Sequence, residues 1–312
     1  MGRAEVHMMK RIGIVGLGNM GIGMARSLLA GGFEVSGFDL RPERRDMLRD
    51  LGGNDAASIV DVGKVADFVF VMVLNGSQVT EVVTGEGGLL TSLRPDATVA
   101  VCATIEPRTM RRIAAQATAA GARVIDCPVS GGKAGADDGT LTMMVSAEHA
   151  VYDEHLDVLQ CVGERIFHVG EEPGVGQTVK ASLQALIGTT FAGAFEALVL
   201  GSSAGVDGQV LYDVFAASGV RSPLLKTCMK HVLDRAFKNT GSHIGTMAKD
   251  LGITMDLARE SGAAMFTTGA AAQVFRAGIS LFPEEDNWAC VKWLEEIAGT
   301  TVARSRDLEA HA

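Results

Sequence analysis

Lys180 has the sequence surroundings that an amine needs in order to transfer a proton. It stands near the start of an apolar stretch with few charges that covers residues 175 to about 205. Burial lowers the pKa of an amine, and a neighbouring positive charge lowers it further. Such an amine can accept the proton of an alcohol as a hydride leaves, or return it in the reverse reaction. A solvated lysine at the start of a helix is the alternative interpretation.

Two further groups have types and spacing that could bind a hydroxyl group and a carboxylate. Gln184 follows Lys180 by four residues, so on a helix both side chains would reach the same substrate oxygen. Upstream, the run Ser130-Gly131-Gly132 contains glycines that permit successive backbone N–H groups to point at one carboxylate. Lys133 would add positive charge beside it. An ordinary tight turn is the alternative for this run.

Six residues near the N-terminus have the pattern of a phosphate-binding turn, Gly16-Leu17-Gly18-Asn19-Met20-Gly21. The first glycine permits the turn, the second lets the backbone approach a pyrophosphate, and the third lets helix and strand pack closely. Unpaired N–H groups at the helix start would face the anion. The pattern alone is weak evidence, but it lies between an expected strand and helix, with an acid 18 residues after the last glycine. A generic glycine-rich turn is the alternative.

That acid, Asp39, is predicted to select the coenzyme. A carboxylate at the end of the second strand accepts hydrogen bonds from the adenosine ribose and repels a 2′-phosphate, which favours NAD over NADP. Arg41, Arg44 and Arg45 follow closely and would accommodate a phosphate, so NADP stays an alternative. A purely structural role for Asp39, as the cap of a helix that begins near Pro42, is also open.

Short apolar runs alternate with helical patterns through the first half of the chain. The expected strands cover residues 11–15, 34–38, 67–74, 97–101, 123–126 and 165–169. This alternation predicts an α/β fold, a Rossmann-type doubly wound parallel sheet with right-handed crossovers. After the loop at residues 170–174 almost every pattern is helical. We therefore predict a dinucleotide-binding domain at residues 1–173 and an all-α substrate and oligomerisation domain at residues 174–312, joined by a long interdomain helix.

Composition narrows the classes of function. The chain has 312 residues, of which 47% are hydrophobic, enough for packed cores in two domains. Its net charge of −9 argues against nucleic acid as a partner. Five cysteines show no zinc-ligand spacing, and Asp137 and Asp138 lack a third ligand, so we expect no metal. Free thiols, no leader-like N-terminus and polar residues in the long helix predict a cytoplasmic protein without membrane contact.

Four segments, in order along the chain, resemble the β-hydroxyacid dehydrogenases, the family of 3-hydroxyisobutyrate dehydrogenase and tartronate semialdehyde reductase. They are residues 16–25, residues 126–141, residues 174–180 and Lys249-Asp250-Leu251-Gly252. The resemblance implies an NAD(P)-dependent oxidoreductase that transfers a hydride between a small hydroxy acid and the nicotinamide, with a helical domain that forms a homodimer or homotetramer.

The resemblance also implies a role for particular residues. Lys180 matches the general acid/base, and Ser130, Gly131 and Gly132 match the site of the substrate carboxylate. Val73, Leu74 and Thr104 match positions that line the nicotinamide side of the cofactor, and Lys249 matches a lysine near the cofactor. The family often has Asn where Leu183 stands and Asn or Gln where Gln184 stands, and it usually has Pro at position 74. These departures leave the substrate open among 3-hydroxyisobutyrate, tartronate semialdehyde and threonate.

Residues 73–79, the pattern from Lys180 to Gln184 and residues 231–234 look most like the L-threonate dehydrogenase branch, which favours sugar acids. Two other functions stay open. Imine reductases have a similar architecture but usually another residue in place of Lys180. Catalytically silent NAD(P)-binding interaction modules tend to lose this lysine and to gain further domains.

Overall fold

The structure, a computed structural model that describes residues 10–304, contains a single mixed sheet. Its strands, in chain order, are β1 (Arg11–Val15), β2 (Glu34–Phe38), β3 (Asn54–Asp55), β4 (Phe68–Val71), β5 (Thr98–Val101), β6 (Arg123–Asp126), β7 (Val129–Ser130), β8 (Leu141–Ser146) and β9 (Gly163–Gly170). Their spatial order is β3-β2-β1-β4-β5-β6-β8-β7, and β9 pairs with β8.

Strands β1 to β6 form a parallel sheet. Each neighbouring pair in the order β3-β2-β1-β4-β5-β6 is parallel, and β8 continues the sheet antiparallel to β6. The strand order reverses between β1 and β4, because the chain builds outward from β1 in one direction and then returns to its other side. Open sheets of this kind bind ligands at the carboxyl ends of the strands beside such a reversal. The predicted doubly wound Rossmann-type sheet is confirmed.

Both faces of the sheet are covered, and the side chains of one strand show how. In β4, Phe68 and Phe70 pack into one apolar cluster, whereas Val69 and Val71 pack into the other. Successive side chains of a strand point to opposite faces. An unbroken apolar run is therefore typical of a strand that is buried on both sides, which explains why β4 was visible in the sequence.

The predicted strand at residues 67–74 is too long. In the structure β4 ends at Val71, and Met72 and Val73 leave the sheet at its carboxyl edge. Gly16 lies so close to this exit that a Cβ on it would be 2.3 Å from the carbonyl oxygen of Met72. The strands β3, β7 and β8 were not predicted, because β3 and β7 have only two residues each and β8 begins inside a segment assigned to substrate binding.

Helices surround the sheet and make up the C-terminal part of the described chain. They are α1 (Asn19–Ala30), α2 (Pro42–Asp50), α3 (Ile59–Val65), α4 (Gly76–Thr84), α5 (Pro107–Ala119), α6 (Gly132–Asp138), α7 (His149–Glu154), α8 (Leu156–Val162), α9 (Val175–Ser203), α10 (Gly208–Ala217), α11 (Pro223–Leu233), α12 (Ile244–Ser261), α13 (Phe266–Leu281) and α14 (Cys290–Ala298).

The chain divides into two compact units between Lys180 and Ala181, inside α9. The sequence-based boundary lies earlier, between residues 173 and 174, where the helix is about to begin. The first turns of α9 belong to the first unit because the backbone N–H groups of Gly174 and Gln177 donate hydrogen bonds to Asp126 at the end of β6. The sequence-based boundary could not take these hydrogen bonds into account, because they join residues that are far apart in the sequence.

The second unit is all helical and has its own apolar core. Phe195, Leu198, Phe275 and Trp288 are buried there together. Gly188 of α9 permits a close approach, because a Cβ at this position would be 2.8 Å from a methyl carbon of Leu251 on α12. The helical architecture predicted for the C-terminal part is confirmed.

Helix α9 is long and apolar enough to cross a membrane, with a mean hydropathy of 1.5 over its most apolar window. Half of that window is buried inside the protein. Lys180 and Gln184 are also buried polar residues of this helix. Such side chains are expensive in lipid, and a core helix of a folded domain has the same length and composition.

Candidate active site

The glycine-rich turn joins β1 to α1 at the carboxyl edge of the sheet. Gly16 has a φ of +96°, in the region that favours glycine, and Gly21 lies so close to it that a Cβ would be 1.9 Å from the Gly16 carbonyl oxygen. At Gly18 a Cβ would have only an Arg41 nitrogen within 4 Å, at 3.9 Å. The turn is therefore tight on its inner side and open at the second glycine, as a pyrophosphate beside the helix N-terminus requires.

Asp39 joins the end of β2 to this turn. Its Oδ2 accepts a hydrogen bond from the Leu17 N–H at 2.8 Å, and its Oδ1 accepts from the backbone N and the Nε of Arg41, both at 3.0 Å. Burial opposes ionisation of Asp39, but the hydrogen bonds from Arg41 and Leu17 outweigh burial and hold its pKa below the ordinary value. Arg41, not Asp39, is the N-terminal cap residue of α2.

Two arginines therefore lie at the predicted ribose position together with Asp39. Arg41 pairs with the carboxylate, and Arg44 donates from Nη2 to the Asn19 side-chain oxygen at 3.1 Å. The predicted ribose acceptor is thus engaged by an arginine only two residues away. Charge on both sides of the ribose position is compatible with either NAD or NADP.

Replacing Asp39 by asparagine is expected to shift the coenzyme preference toward NADP. The change removes the negative charge that repels a 2′-phosphate and releases Arg41 to bind it, so the ratio of kcat/KM with NAD to kcat/KM with NADP should fall roughly tenfold or more. Steady-state kinetics with both coenzymes measure this ratio. Arg41→Gln should shift it the other way, and an unchanged ratio in both variants would contradict the ribose assignment.

The first turns of α9 are anchored by a buried carboxylate at the end of β6. Asp126 Oδ2 accepts from the N–H of Gly174 at 2.8 Å and of Gln177 at 3.2 Å, while Oδ1 accepts from Gln177 Nε2 at 3.0 Å. Burial raises the Asp126 pKa to about 6, although the hydrogen bonds from Gln177 and Gly174 oppose the rise. A Cβ on Gly176 would lie 2.7 Å from a carbonyl oxygen of β8, so the helix start rests directly on the sheet.

Gln177 extends this anchor to the chain that follows β5. Its Oε1 accepts from the Ile105 N–H at 3.0 Å, and its Nε2 also donates to the Ala103 carbonyl oxygen at 3.0 Å. Lys180 comes one turn later and is 6% exposed. The network therefore holds a buried amine in the unit that carries the glycine-rich turn.

Neither Asp126 nor Gln177 was assigned a role from the sequence, although both lie in the segments that carry the family resemblance. The available signals were an acid that closes a strand and a glutamine in an otherwise apolar helix start. Their pairing spans 51 residues, so local spacing could not reveal it.

The turn Ser130-Gly131-Gly132 lies between β7 and α6 in the same unit. Gly131 and Gly132 have φ angles of +133° and +61°, which L-residues rarely adopt. Gly23 of α1 lies against α6, since a Cβ there would be 2.7 Å from the backbone of Ala136. The turn is therefore next to a helix that packs on the coenzyme-binding helix α1, and its backbone has the conformations expected of an anion-binding loop.

Lys133 does not add a free positive charge to this turn. Its ammonium pairs with Asp137, which also pairs with Arg26 at 3.0 Å. Asp137 is thus part of a salt-bridge group. Among residues 10–304 no group of three or more His, Cys, Asp or Glu side chains is arranged to hold a metal ion.

Val73, Leu74 and Thr104 follow β4 and β5 at the sheet edge that carries the glycine-rich turn. Val73 packs against Gly16, because a Cβ on that glycine would be 3.0 Å from a Val73 methyl carbon. Leu74 is 70% exposed, and its N–H donates to Gln78 at 2.9 Å. The three predicted nicotinamide-side positions therefore lie at the carboxyl edge of the sheet, where this class of fold binds ligands.

Gln184 and Lys249 belong to the second unit, where both contact Asp250. Gln184 Nε2 donates to Asp250 Oδ2 at 2.5 Å, and Lys249 Nζ lies 2.8 Å from Asp250 Oδ1. The Thr254 hydroxyl donates to the carbonyl oxygens of Asp250 at 2.9 Å and Ala181 at 3.0 Å. Asp250 had no assigned role in the sequence analysis.

A parallel sheet with a topological reversal, a tight glycine-rich turn before α1 and an acid after β2 define a Rossmann-type dinucleotide-binding protein. Two family models match the chain. Residues 11–170 match the NAD binding domain of 6-phosphogluconate dehydrogenase, and residues 174–294 match the NAD-binding domain of NADP-dependent 3-hydroxyisobutyrate dehydrogenase.

Similar proteins extend the match over almost the whole chain. L-threonate dehydrogenase of Cupriavidus necator is 35% identical over 91% of this chain and 96% of its own length. 2-(Hydroxymethyl)glutarate dehydrogenase of Eubacterium barkeri is 31% identical over 94% and 97%. The crystal structure of 3-hydroxyisobutyrate dehydrogenase from Salmonella typhimurium superposes with a TM-score of 0.84 at 33% identity, over 91% of this chain and 99% of that one.

The chain belongs to the β-hydroxyacid dehydrogenase family and, within it, to the L-threonate dehydrogenase branch. It is an NAD(P)-dependent dehydrogenase that acts on the CH–OH groups of hydroxy acids.

Proposed function

We propose that this protein oxidises a small sugar acid of the threonate type, with Lys180 as the general base. The observation that carries the proposal is the burial of Lys180 on a helix start that Asp126 and Gln177 fix to the carboxyl ends of β5 and β6. A buried amine loses its hydration, which favours the neutral form that accepts a proton. Ligands of such sheets bind at this edge.

Different residues of the first unit have different roles in this proposal. The glycine-rich turn and the N-terminus of α1 would hold the pyrophosphate of NAD(P), which supplies the hydride acceptor when bound. The backbone N–H groups of Ser130-Gly131-Gly132 would hold the substrate carboxylate. Lys180 would take the hydroxyl proton at Nζ as the C–H bond gives up its hydride, and would return it in the reductive direction.

The preference for sugar acids is supported by the relatives. The 35% identical protein is named for L-threonate, and the 31% identical one for a hydroxymethyl dicarboxylic acid. Every alternative substrate named above is likewise a short acid with a hydroxyl or aldehyde group, and one carboxylate-binding turn would serve them all. The choice among them depends on side chains that contact the rest of the carbon chain.

A panel assay tests this function. Purified protein would be assayed with NAD and NADP on L-threonate, 3-hydroxyisobutyrate and L-serine, and in reverse on tartronate semialdehyde and a cyclic imine. We expect the highest kcat/KM with L-threonate. Turnover of the imine alone would indicate an imine reductase, and coenzyme binding without turnover of any compound would indicate a silent binding module.

We also propose that the protein is a cytoplasmic homodimer or homotetramer associating through its helical unit. Large apolar side chains are exposed on several helices of that unit: Leu186, Leu200, Val214, Phe266 and Leu281. We propose that a second copy of the chain covers these exposed apolar side chains. Light scattering coupled to size-exclusion chromatography measures the state, and a monomer at micromolar concentration would contradict the proposal.

A further inference from the structure

The helix that follows the glycine-rich turn has a glycine in its interior. Gly23 is buried and lies four residues after Asn19, the first residue of α1. Glycine is a poorer helix former than alanine, but the missing methyl group allows a close approach of α6. A Cβ on Gly23 would be 2.7 Å from the backbone carbonyl carbon of Ala136 and 2.8 Å from the backbone nitrogen of Asp137. The two helices therefore meet backbone to backbone, one turn from the N-terminus of α1.

Two further residues of α1 extend this contact along one face of the helix. Residues three and four positions apart are neighbours on a helix surface, and Arg26 and Ser27 follow Gly23 at those spacings. The Arg26 guanidinium pairs with Asp137 at 3.0 Å, and the Ser27 hydroxyl donates to the Ala136 carbonyl oxygen at 3.4 Å. One face of α1 therefore holds the middle of α6.

Of these two helices, α1 is the one that is fixed. It packs into the apolar core of the first unit through four buried side chains, Ile22, Met24, Ala25 and Leu28. By contrast, α6 has only seven residues, of which Gly135 and Ala136 are buried. Protein interiors are close-packed, so a contact below 3.0 Å with backbone atoms is relieved only when the backbone moves. A methyl group at position 23 would therefore displace α6 and leave α1 in place.

Such a displacement reaches the turn Ser130-Gly131-Gly132, because α6 continues directly from it. Helix α6 begins at Gly132, and the Gly135 N–H donates to the Gly131 carbonyl oxygen at 3.1 Å. Gly131 and Gly135 also rest on the same methyl carbon of Leu141, a fully buried residue of β8, since Cβ atoms on them would be 3.1 and 3.2 Å from it. The turn and α6 therefore lie as one piece between α1 and β8.

We propose that Gly23 is a positioning residue that sets, through α6, where the turn Ser130-Gly131-Gly132 presents its N–H groups to the substrate carboxylate. The same helix α1 begins at the glycine-rich turn, so it fixes the carboxylate turn relative to the coenzyme pyrophosphate. Hydride transfer requires the reacting atoms at a short and defined distance, and a correctly placed carboxylate contributes to that geometry. This inference rests on the proposed function, because it takes the turn as the carboxylate site.

Gly23→Ala adds one methyl group and tests the assignment. Alanine is the better helix former, so α1 is not weakened and a functional loss reports the displacement of α6. We expect KM for L-threonate to rise about tenfold as carboxylate contacts are lost, while Kd for NAD, measured by coenzyme fluorescence, changes less than about threefold. Gly269→Ala in α13 is the matched control, because its Cβ would meet only the terminal methyl carbon of Met255, at 3.7 Å. Both constants should be unchanged in this control.

Gly135→Ala displaces α6 from its other side, against Leu141, and serves if Gly23→Ala folds poorly. Because α1 is untouched in this variant, we expect KM for L-threonate to rise at least about threefold with no change in Kd for NAD. An unchanged KM in either folded variant would overturn the assignment alone. A parallel rise of KM and Kd would overturn it as well, since it indicates a merely structural role. Wild-type protein that oxidises no hydroxy acid would overturn the proposed function and the assignment with it.

Discussion

Replacing Lys180 by methionine is expected to lower kcat with L-threonate by about a thousandfold, because general acid–base catalysis contributes on this scale. Methionine keeps much of the length and apolar volume of the side chain but has no proton to exchange. Because Lys180 is buried in the first unit, at the end of a helix segment that is hydrogen-bonded to the sheet, the substitution should leave the backbone in place. Steady-state kinetics measure kcat, and coenzyme fluorescence measures NAD binding, which should survive.

Two further variants test whether Lys180 acts by transferring a proton or only through its positive charge. Lys180→Arg retains the charge, but arginine does not lose its proton in proteins, so it should be nearly as inactive as the methionine variant. Lys226→Met removes an exposed lysine of α11 and should leave kcat unchanged. Turnover within about threefold of wild type in Lys180→Met would exclude this amine from the mechanism.

The doubly wound sheet could be predicted because its signals are local. Strands β1, β2, β4, β5 and β6 are short apolar runs with helical periodicity between them, and this alternation suffices to define the fold class. The two-residue strands carry no periodicity. The end of β4 was misplaced because Met72 and Val73 are as apolar as the strand itself, and their departure depends on the approach of Gly16 to the Met72 carbonyl group.

Candidate site residues could be named from the sequence, but the hydrogen bonds that hold them could not. The glycine-rich turn, Lys180 and the Ser130-Gly131-Gly132 turn each have a pattern within a few positions of the sequence. The hydrogen bonds that hold the two glutamines of α9 join residues far apart: Gln177 to Asp126 across 51 positions and Gln184 to Asp250 across 66. No spacing rule covers such distances, so the supporting carboxylates become visible only when the chain is folded.

Asp39 shows that a motif can also miss a contact between residues that are close together in the sequence. The motif predicts an acid at the end of the second strand, and Asp39 lies there, next to the glycine-rich turn. Its engagement by Arg41, only two residues away, depends on the backbone turning back between them. The motif alone does not describe this turn of the backbone. The predicted coenzyme preference depends on how the charges of Asp39 and Arg41 together act on the ribose 2′ position.

Replacing Asp126 by alanine is expected to destabilise the first unit by about 3 kcal/mol and to lower kcat as well. The substitution leaves two buried N–H groups, those of Gly174 and Gln177, without an acceptor, and each costs about 1–3 kcal/mol when unsatisfied and not rehydrated. It also removes one of the two acceptors of the Gln177 side-chain amide, which keeps the Ala103 carbonyl oxygen. Because these donors form the start of α9, Lys180 loses its fixed position. Urea denaturation measures the free energy of unfolding.

The pH dependence of this penalty distinguishes Asp126 from an ordinary buried side chain. Burial raises its pKa to about 6 in the folded protein, from an ordinary value of 3.8. Between these values the folded state binds more protons than the unfolded state, so the additional stability that comes from protonation of Asp126 is fully present below pH 3.8 and is lost as the pH rises through 6. The difference between wild type and Asp126→Ala should therefore grow as the pH falls from 7 toward 5. Asp138→Ala, at an exposed aspartate of α6, should show no such penalty, and a penalty independent of pH would contradict the raised pKa.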